Sequence, residues 1–379
     1  MLRDRLCRLN DRHPKERILS HPNARHFRIA VIPGDGIGQE VVPEGLAVLD
    51  AIAAQSNGAI SFTYTSYPWG RDYYHQYGKM ISDDALDHLR EADAIYFGAV
   101  GWPDVPDHVS LWGLRLAICQ GFDQYACIRP IRLLPGIESS LRAADPEHFD
   151  WVVVRENSEG EYAGFGGRNF AGRGDAREVA VQSAIFTAHG CERIIRYAFE
   201  LAMTRRRKVT SVTKSNAQQY GMTLWDETFA RIAADYPDVE IESWLVDAMA
   251  ARFVLRPETL DVVVGSNLFG DILSDLGSAL AGSLGIAASA NLDPERRYPS
   301  MFEPVHGSAP DIAGKGISNP IAAIWSAALM LEHLGLPDEA SRVMRAIETA
   351  TAAGQVTADL GGSLTTAEAG AAIVAALGS

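Results

Sequence analysis

The sequence predicts an α/β protein with a substantially parallel sheet, on three observations. A short apolar run at 28–32 (RIAVI) is broken by the Gly-rich turn at 33–38, and helical periodicity follows over 40–54. Similar runs, largely apolar as strands covered on both faces must be, recur at 94–98, 151–154, 209–213, 241–246 and 261–265. Helical patterns separate most of them, the alternation that lays strands side by side and parallel. Toward the end, Asn319 reads as the cap of a helix with Pro320 at its first position, whose apolar run stops before Gly335. Thr365 and Glu368 form a capping-box pattern ahead of the last helix. The basic cluster at 205–208 follows a helical stretch and is read as complementing that helix's C-terminal dipole.

A chain of 379 residues, 47% hydrophobic and 22% charged, has the composition of a globular protein and the length for two or three domains of roughly 100–200 residues each. No stretch reaches the ~18 uninterrupted apolar residues of a membrane span. A net charge of −14 argues against nucleic-acid binding, although a locally basic pocket can still take a small anion. Cys7, Cys119, Cys127 and Cys191 are scattered without a CxxC, as free thiols of a reducing compartment would be, and the cytoplasm is the expected location. Residues 1–27 carry seven Lys/Arg and three acids with no secretory apolar core, so a flexible N-terminal extension is expected.

Several segments carry groups suited to chemistry. In NLFGDILSD (267–275), Asp271 and Asp275 sit four apart after an expected turn at Gly270, on one helical face. Like charges at that spacing repel, and a hard divalent cation, Mg²⁺ or Mn²⁺, would relieve them; two solvated acids at a helix N-terminus are the alternative. Asp247, at the end of another apolar run, is a candidate third ligand. In VRENSEGEY, Arg155 is placed to fork onto a carboxylate and Tyr162 to donate a proton. Arg129 offers a second guanidinium, and Lys214, at a strand end, a candidate base. GDGIG at 34–38 is not GxGxxG, and no ribose-binding acid follows about 20 residues on, so a Rossmann finger is disfavoured. HGSAPDIAGKG at 306–316 is a loop able to wrap an adenosine, with Asp311 accepting from ribose hydroxyls.

Together, GDGIG, RENSEGEY, TKSN, VDAMA…NLFGDILSD and EPVHGSAPDIAGKGISNP resemble, in order, the metal-dependent β-decarboxylating dehydrogenases of isocitrate, 3-isopropylmalate, D-malate and tartrate. The match runs from about Arg28 to the C-terminus. The stretch FGAVGWPDVPDHVSLWG followed by FDQY is most similar to the tartrate/D-malate branch. The resemblance implies a two-domain isopropylmalate dehydrogenase-like fold, not a Rossmann fold. Residues 28–124 with 284–379 would form a discontinuous NAD-binding domain, and 125–283 a central domain for substrate, metal and dimerisation. It further implies a homodimer with shared active sites. Asp271 and Asp275 would ligate Mg²⁺ or Mn²⁺ together with Asp247 of the other subunit. Lys214, also from the other subunit, would be the base and Tyr162 the acid that protonates carbon. Arg129 and Arg155 would clamp the substrate's β-carboxylate. His306, Gly307, Ser308, Ala309, Asp311, Ile312 and Asn319 would bind the dinucleotide. Asp311 would repel a 2′-phosphate, which favours NAD over NADP. The implied reaction is oxidation of a small 2-hydroxy dicarboxylic acid followed by decarboxylation. The alternatives are another 3-substituted malate as substrate, or a non-catalytic regulatory subunit.

One departure stands out. The family pattern places a third Arg ten residues before the Arg of the RP dipeptide, and Cys119 stands there. A charge-assisted hydrogen bond is worth roughly 1.5–3 kcal/mol. Arg115, one helical turn earlier, is expected to replace the missing clamp, to meet a polar or anionic substituent on the substrate, or else to face solvent.

Overall fold

A computed structural model of the chain describes residues 24–378 apart from Arg142, Ala143, Asp145 and Asp175. Twelve strands are present among them: β1 (Arg25–Gly34), β2 (Ile60–Ser66), β3 (Ala94–Ala99), β4 (Ala126–Arg132), β5 (Asp150–Glu156), β6 (Gly160–Asn169), β7 (Val179–Ile185), β8 (Lys208–Thr213), β9 (Glu240–Leu245), β10 (Val262–Gly265), β11 (Ala288–Leu292) and β12 (Met301–Pro304). Ten form one sheet in the order β2-β1-β3-β12-β11-β4-β5-β10-β8-β9, and β6 and β7 pair separately as an antiparallel ribbon. Strand pairs toward both edges are parallel, as expected. A central strip, β12-β11-β4-β5, is antiparallel. Of these, β4, β11 and β12 are short or interrupted by polar residues and proline, and the apolar-run criterion passes over them, whereas β5 is the run at 151–154.

The expected strands at 28–32, 94–98, 151–154, 209–213, 241–246 and 261–265 all fall within β-structure, with ends shifted by a few residues. Much of the expected N-terminal extension lies outside the described residues, but Arg25, His26 and Phe27 do not belong to it. They pair in register with Ile60, Ser61 and Phe62 of β2, whose alternating polar residues hide its strand character. Cys119, Cys127 and Cys191 are free and buried, while Cys7 lies outside the described residues.

Thr365 and Glu368 make both bonds of the capping box. Asn319 Oδ1 accepts from the Ile321 amide at 3.0 Å, and the helix Ile321–His333 starts one residue later than expected. That helix is apolar nearly all round because it is buried between its neighbours. The basic cluster does not serve a helix dipole. Arg205 pairs with Asp150 and Asp261, Arg206 donates to the Asp150 and Leu260 carbonyls, and Lys208 pairs with Glu240 and Glu242. Nearby carboxylates and backbone carbonyls outcompete the weaker dipole term.

His333, at the end of the buried helix, packs its ring 5.4 Å from that of Phe302. Burial, assisted by Arg296, pushes its pKa down to about 4. With a folded pKa below the unfolded ~6.5, the folded state binds fewer protons in that interval, so stability is full above pH 6.5 and falls as the pH drops toward 4. The loss is expected to reach about 2–3 kcal/mol. Urea unfolding of His333→Gln across that window should show a visibly flatter pH dependence than wild type; parallel curves would refute the assignment.

Candidate active site

Arg129 and Arg155 converge because β4 and β5 are antiparallel neighbours in which Arg129 faces Val153. Arg155, two residues on, therefore emerges on the same face as Arg129. The helix Asn267–Leu280 crosses above them. It begins at Asn267, directly after β10, so Gly270 is inside the helix and not at a turn. The glycine is needed for close packing: a Cβ there would lie 2.7 Å from Arg155 Cβ.

Asp271 is thereby brought to both cations. Arg155 Nη1 lies 2.7 Å and Arg129 Nη1 3.1 Å from Asp271 Oδ1. Burial opposes ionisation of Asp271, but Arg155, Arg129 and Arg115 outweigh it and hold the carboxyl below its usual pKa. Asp275, one turn later, is half exposed and 3.5 Å from Arg129 Nη1; burial raises its pKa, opposed by Arg129 and reinforced by Asp271. Arg129 also donates to Ser274 Oγ at 2.7 Å, and Arg155 to the carbonyl and side chain of Asn267. Burial, with Arg129 beside it, lowers the Arg155 pKa.

These groups border a cavity of about 180 Å³ whose wall includes Arg115, Arg129, Arg155, Tyr162, Asp271 and Glu303, with His306 and Gly307 at its rim. The Tyr162 ring lies 5.4 Å from the Arg155 guanidinium carbon, in cation–π contact. Arg115 does not face solvent. It is 8% exposed, donating through Nε to Glu303 Oε1 at 2.7 Å and through Nη2 to Asn291 Oδ1 at 3.0 Å. Burial opposes its charge, and its surroundings, Glu303 foremost, hold it protonated. Cys119 is also buried, and its thiol is pushed up to about 12, with burial the largest cause.

Lys214 and Asp247 are not brought to this cavity within one chain. They pair with each other, Nζ to Oδ1 at 2.5 Å, between the end of β8 and the helix Val246–Leu255. Among the described residues no three His, Cys, Asp or Glu side chains gather as a metal site. Asp271 and Asp275 are nonetheless hard donors one turn apart, the former held ionised, and they fit a divalent cation that receives further oxygen ligands from elsewhere.

The two Gly-rich segments meet. Ile37 N donates to the Ser308 carbonyl at 2.9 Å, and Ser308 Oγ donates to the Gly101 carbonyl. Asp35, within GDGIG, is buried and accepts from the Arg71 and Gly101 amides at 2.7 and 2.9 Å. Glu40 accepts from the Gly314 and Gly316 amides, which shapes the second half of the loop. Gly307 has open space where a Cβ would be, and Ala309 adopts φ +42°. His306 Nε2 is buried with no partner among the described residues, an orphaned polar atom beside the cavity, and burial holds the imidazole below its usual pKa. The orphaned nitrogen and the open space at Gly307 leave room and a polar group for a ligand beside this loop. Asp311 and Ile312 lie in the loop's turn, Asp311 exposed. Asn319 is engaged internally: its side chain caps the helix and donates to Asp359 Oδ2 at 3.0 Å.

Sequence reasoning does not single out Glu303, Asn291, Ser274 or Asp35. An acid in the short apolar run MFEP is the one available signal for Glu303, since a carboxylate buried in a strand needs a cation.

The family model for isocitrate/isopropylmalate dehydrogenase matches residues 28–373. The chain belongs to this family. It is 58% identical over 345 residues to a probable tartrate dehydrogenase/decarboxylase from Agrobacterium vitis, covering 91% of this chain and 96% of the relative. It is 52% identical over 354 residues to a D-malate dehydrogenase (decarboxylating) from Escherichia coli strain K12, covering 92% and 97%. Among solved structures, isocitrate dehydrogenase from Methylococcus capsulatus superposes with a TM-score of 0.82 at 37% identity, covering 93% of this chain and 99% of that one. The fold is thus that of the isocitrate/isopropylmalate dehydrogenases, and the cavity beneath the helix Asn267–Leu280 is its candidate active site. No helix among the described residues is long and apolar enough to cross a membrane.

Proposed function

We propose that this member of the dehydrogenase family oxidises a small 2-hydroxy dicarboxylic acid of the D-malate or tartrate type, with NAD and Mg²⁺ or Mn²⁺, and decarboxylates the β-keto acid formed. The observation that carries the reading is a cluster of three guanidinium groups around one small cavity that also presents Asp271 and Tyr162. A dianion of a few carbon atoms matches that charge and that volume.

In this reading Arg129 and Arg155 hold the carboxylate on C3 by charge-assisted bonds. Asp271 and Asp275, with Asp247 of the partner subunit, would hold the metal. When bound, the metal supplies Lewis acidity to the C2 oxygen and the adjacent carboxylate, and NAD supplies the hydride acceptor. Lys214 of the partner subunit takes the proton of the C2 hydroxyl. Tyr162, oriented by its contact with Arg155, returns a proton to C3 after loss of CO₂. Residues 306–312 bind the dinucleotide, and the exposed carboxylate of Asp311 selects NAD by repelling a 2′-phosphate. Asn319 contributes by fixing the helix start behind that loop. Residues 28–124 and 284–379 form the dinucleotide unit, 125–283 the substrate, metal and dimer unit, and the enzyme works as a cytoplasmic homodimer.

NADH formation by the purified protein with Mn²⁺ and NAD⁺ tests this across D-malate, the tartrates, isocitrate and 3-isopropylmalate. Turnover of D-malate or a tartrate with a kcat/KM of at least ~10⁴ M⁻¹s⁻¹ is expected. Selective turnover of 3-isopropylmalate or isocitrate would replace the substrate assignment, and no turnover of any of them would point to a regulatory subunit.

A further inference from the structure

Tyr162 sits where its own ribbon does not hold it. Gly160 of β6 pairs with Ile185 of β7, and the next pair is Phe165 with Ser183, so residues 161–164 have only Ala184 opposite them. A bulge of this kind takes side chains out of the ladder and re-aims them. Gly160 and Gly164 bound it with φ of +70° and +71°. What fixes the bulge comes largely from elsewhere, from the helical stretch Leu111–Arg115 and Leu116–Gly121. Gln120 Nε2 donates to the Tyr162 carbonyl at 3.1 Å. Trp112 covers the far end, its ring 3.0 Å from where a Cβ on Gly164 would stand. Within the ribbon, Gln182 Nε2 donates to the Glu161 carbonyl at 2.8 Å, and the Tyr162 ring rests against Arg155.

In the functional reading above, Gln120 and Trp112 belong to the dinucleotide unit and Tyr162 to the substrate unit, so the bond from Gln120 runs between units. Tyr162 acts last. The electron pair left by the departing CO₂, held in the C2–C3 enolate, takes the phenolic proton at C3, and the phenolate regains a proton from solvent. Such a transfer is steeply sensitive to where the donor stands, and a misplacement of about 1 Å can cost about 10²-fold. Gln120 bonds to the backbone of the acid and not to the groups that clamp the carboxylate or bind the dinucleotide, so it bears on the proton step and not on binding.

We infer that Gln120 is a positioning residue for the acid Tyr162, holding the bulged segment that carries it from the opposite unit. The inference rests on the functional reading above. Its consequence is that the acid is in place only while the two units stand as close as they do here, which ties the final proton transfer to their approach.

The test uses Gln120→Met, which keeps the length of the side chain but cannot donate, and Gln120→Lys, which restores a donor. Each is mixed rapidly with Mn²⁺, NAD⁺ and the best substrate among the hydroxy acids named above. NADH of the first turnover, which reports the hydride step, is followed apart from steady-state kcat. Turnover is counted per active site from the first-turnover amplitude, so unfolded protein does not enter. Gln120→Met is expected to lower kcat about tenfold while KM and the first-turnover rate stay within about threefold of wild type. Gln120→Lys should return kcat to within about threefold of wild type. A Gln120→Met kcat within about twofold of wild type overturns the inference. So does an equal fall in first-turnover rate and kcat, which is a general distortion of the site, or a Gln120→Lys no faster than Gln120→Met. Tyr162→Phe separates the inference from the reading beneath it. Wild-type turnover in Tyr162→Phe removes the acid assignment and this inference with it, as does a wild type that turns over no substrate, whereas a slow Tyr162→Phe beside an unimpaired Gln120→Met overturns this inference alone.

Discussion

Asp271→Asn is expected to lower kcat/KM for D-malate or tartrate by about 10³ or more while leaving the chain folded. Asparagine has the same shape, so the change reads the charge alone. In the native site one carboxylate oxygen lies within salt-bridge distance of both Arg155 and Arg129, each of which is less than a tenth exposed. Removing that charge leaves two adjacent buried cations without their shared counter-ion, and it removes one of the two hard donors offered to a divalent metal. Stability should fall by about 3–5 kcal/mol, the usual consequence of removing one partner of a buried ion pair. The second readout is Mn²⁺ binding by the purified protein, which should weaken sharply. An Asp271→Asn enzyme retaining activity within tenfold of wild type would remove this cavity from the catalytic machinery.

How far the sequence leads to this site depends on what fixes each residue. Arg155 and Asp271 are legible because each sits at a junction of a strand or helix with a conspicuous polar block, and the antiparallel register of β4 and β5 then brings Arg129 beside them. The register itself is not legible. β11 and β12 are short, all of β4, β11 and β12 are broken by Arg, Asn, Glu or Pro, and they are placed by their neighbours rather than by their own pattern. Glu303 escapes notice for the same reason, and with it the meaning of Arg115: an i,i+4 relation to Cys119 shows which face Arg115 shares but not that an acid 188 residues away waits for it. Gly270 reads as a turn because glycine in sequence has two uses, conformational freedom and absence of bulk. The helix uses the second, letting Arg155 pass beneath. Lys214 stands out just past a strand end and Asp247 at the end of an apolar run, and they occur after β8 and in the first turn of the helix Val246–Leu255, but a single chain pairs them with each other away from the cavity. Which surface they ultimately face depends on association, and no local pattern encodes it.

Gly36 shows both uses of glycine at once, and Gly36→Ala should disrupt the packing of GDGIG against the 306–312 loop. Its φ of +54° already lies where an L side chain costs roughly 1–2 kcal/mol. The added Cβ would also stand 2.1 Å from the Ser308 carbonyl oxygen and 2.9 Å from its carbon. That carbonyl cannot retreat freely, because it accepts from Ile37 N at 2.9 Å, and Ser308 is tied through its hydroxyl to Gly101, whose amide is held by Asp35. The clash must therefore displace the 306–312 loop as a unit or break the contact between the two Gly-rich segments. Stability is expected to fall by about 3 kcal/mol in urea unfolding, and the apparent KM for NAD to rise at least about 100-fold. Gly58→Ala separates the two causes. Gly58 has φ +83° but nothing within 4 Å of where an added methyl would stand, so it carries the backbone penalty without the collision. It should cost only about 1–2 kcal/mol and leave the KM for NAD unchanged. Equal effects of the two substitutions on NAD binding would mean that the packing of GDGIG against Ser308 has no part in shaping the loop.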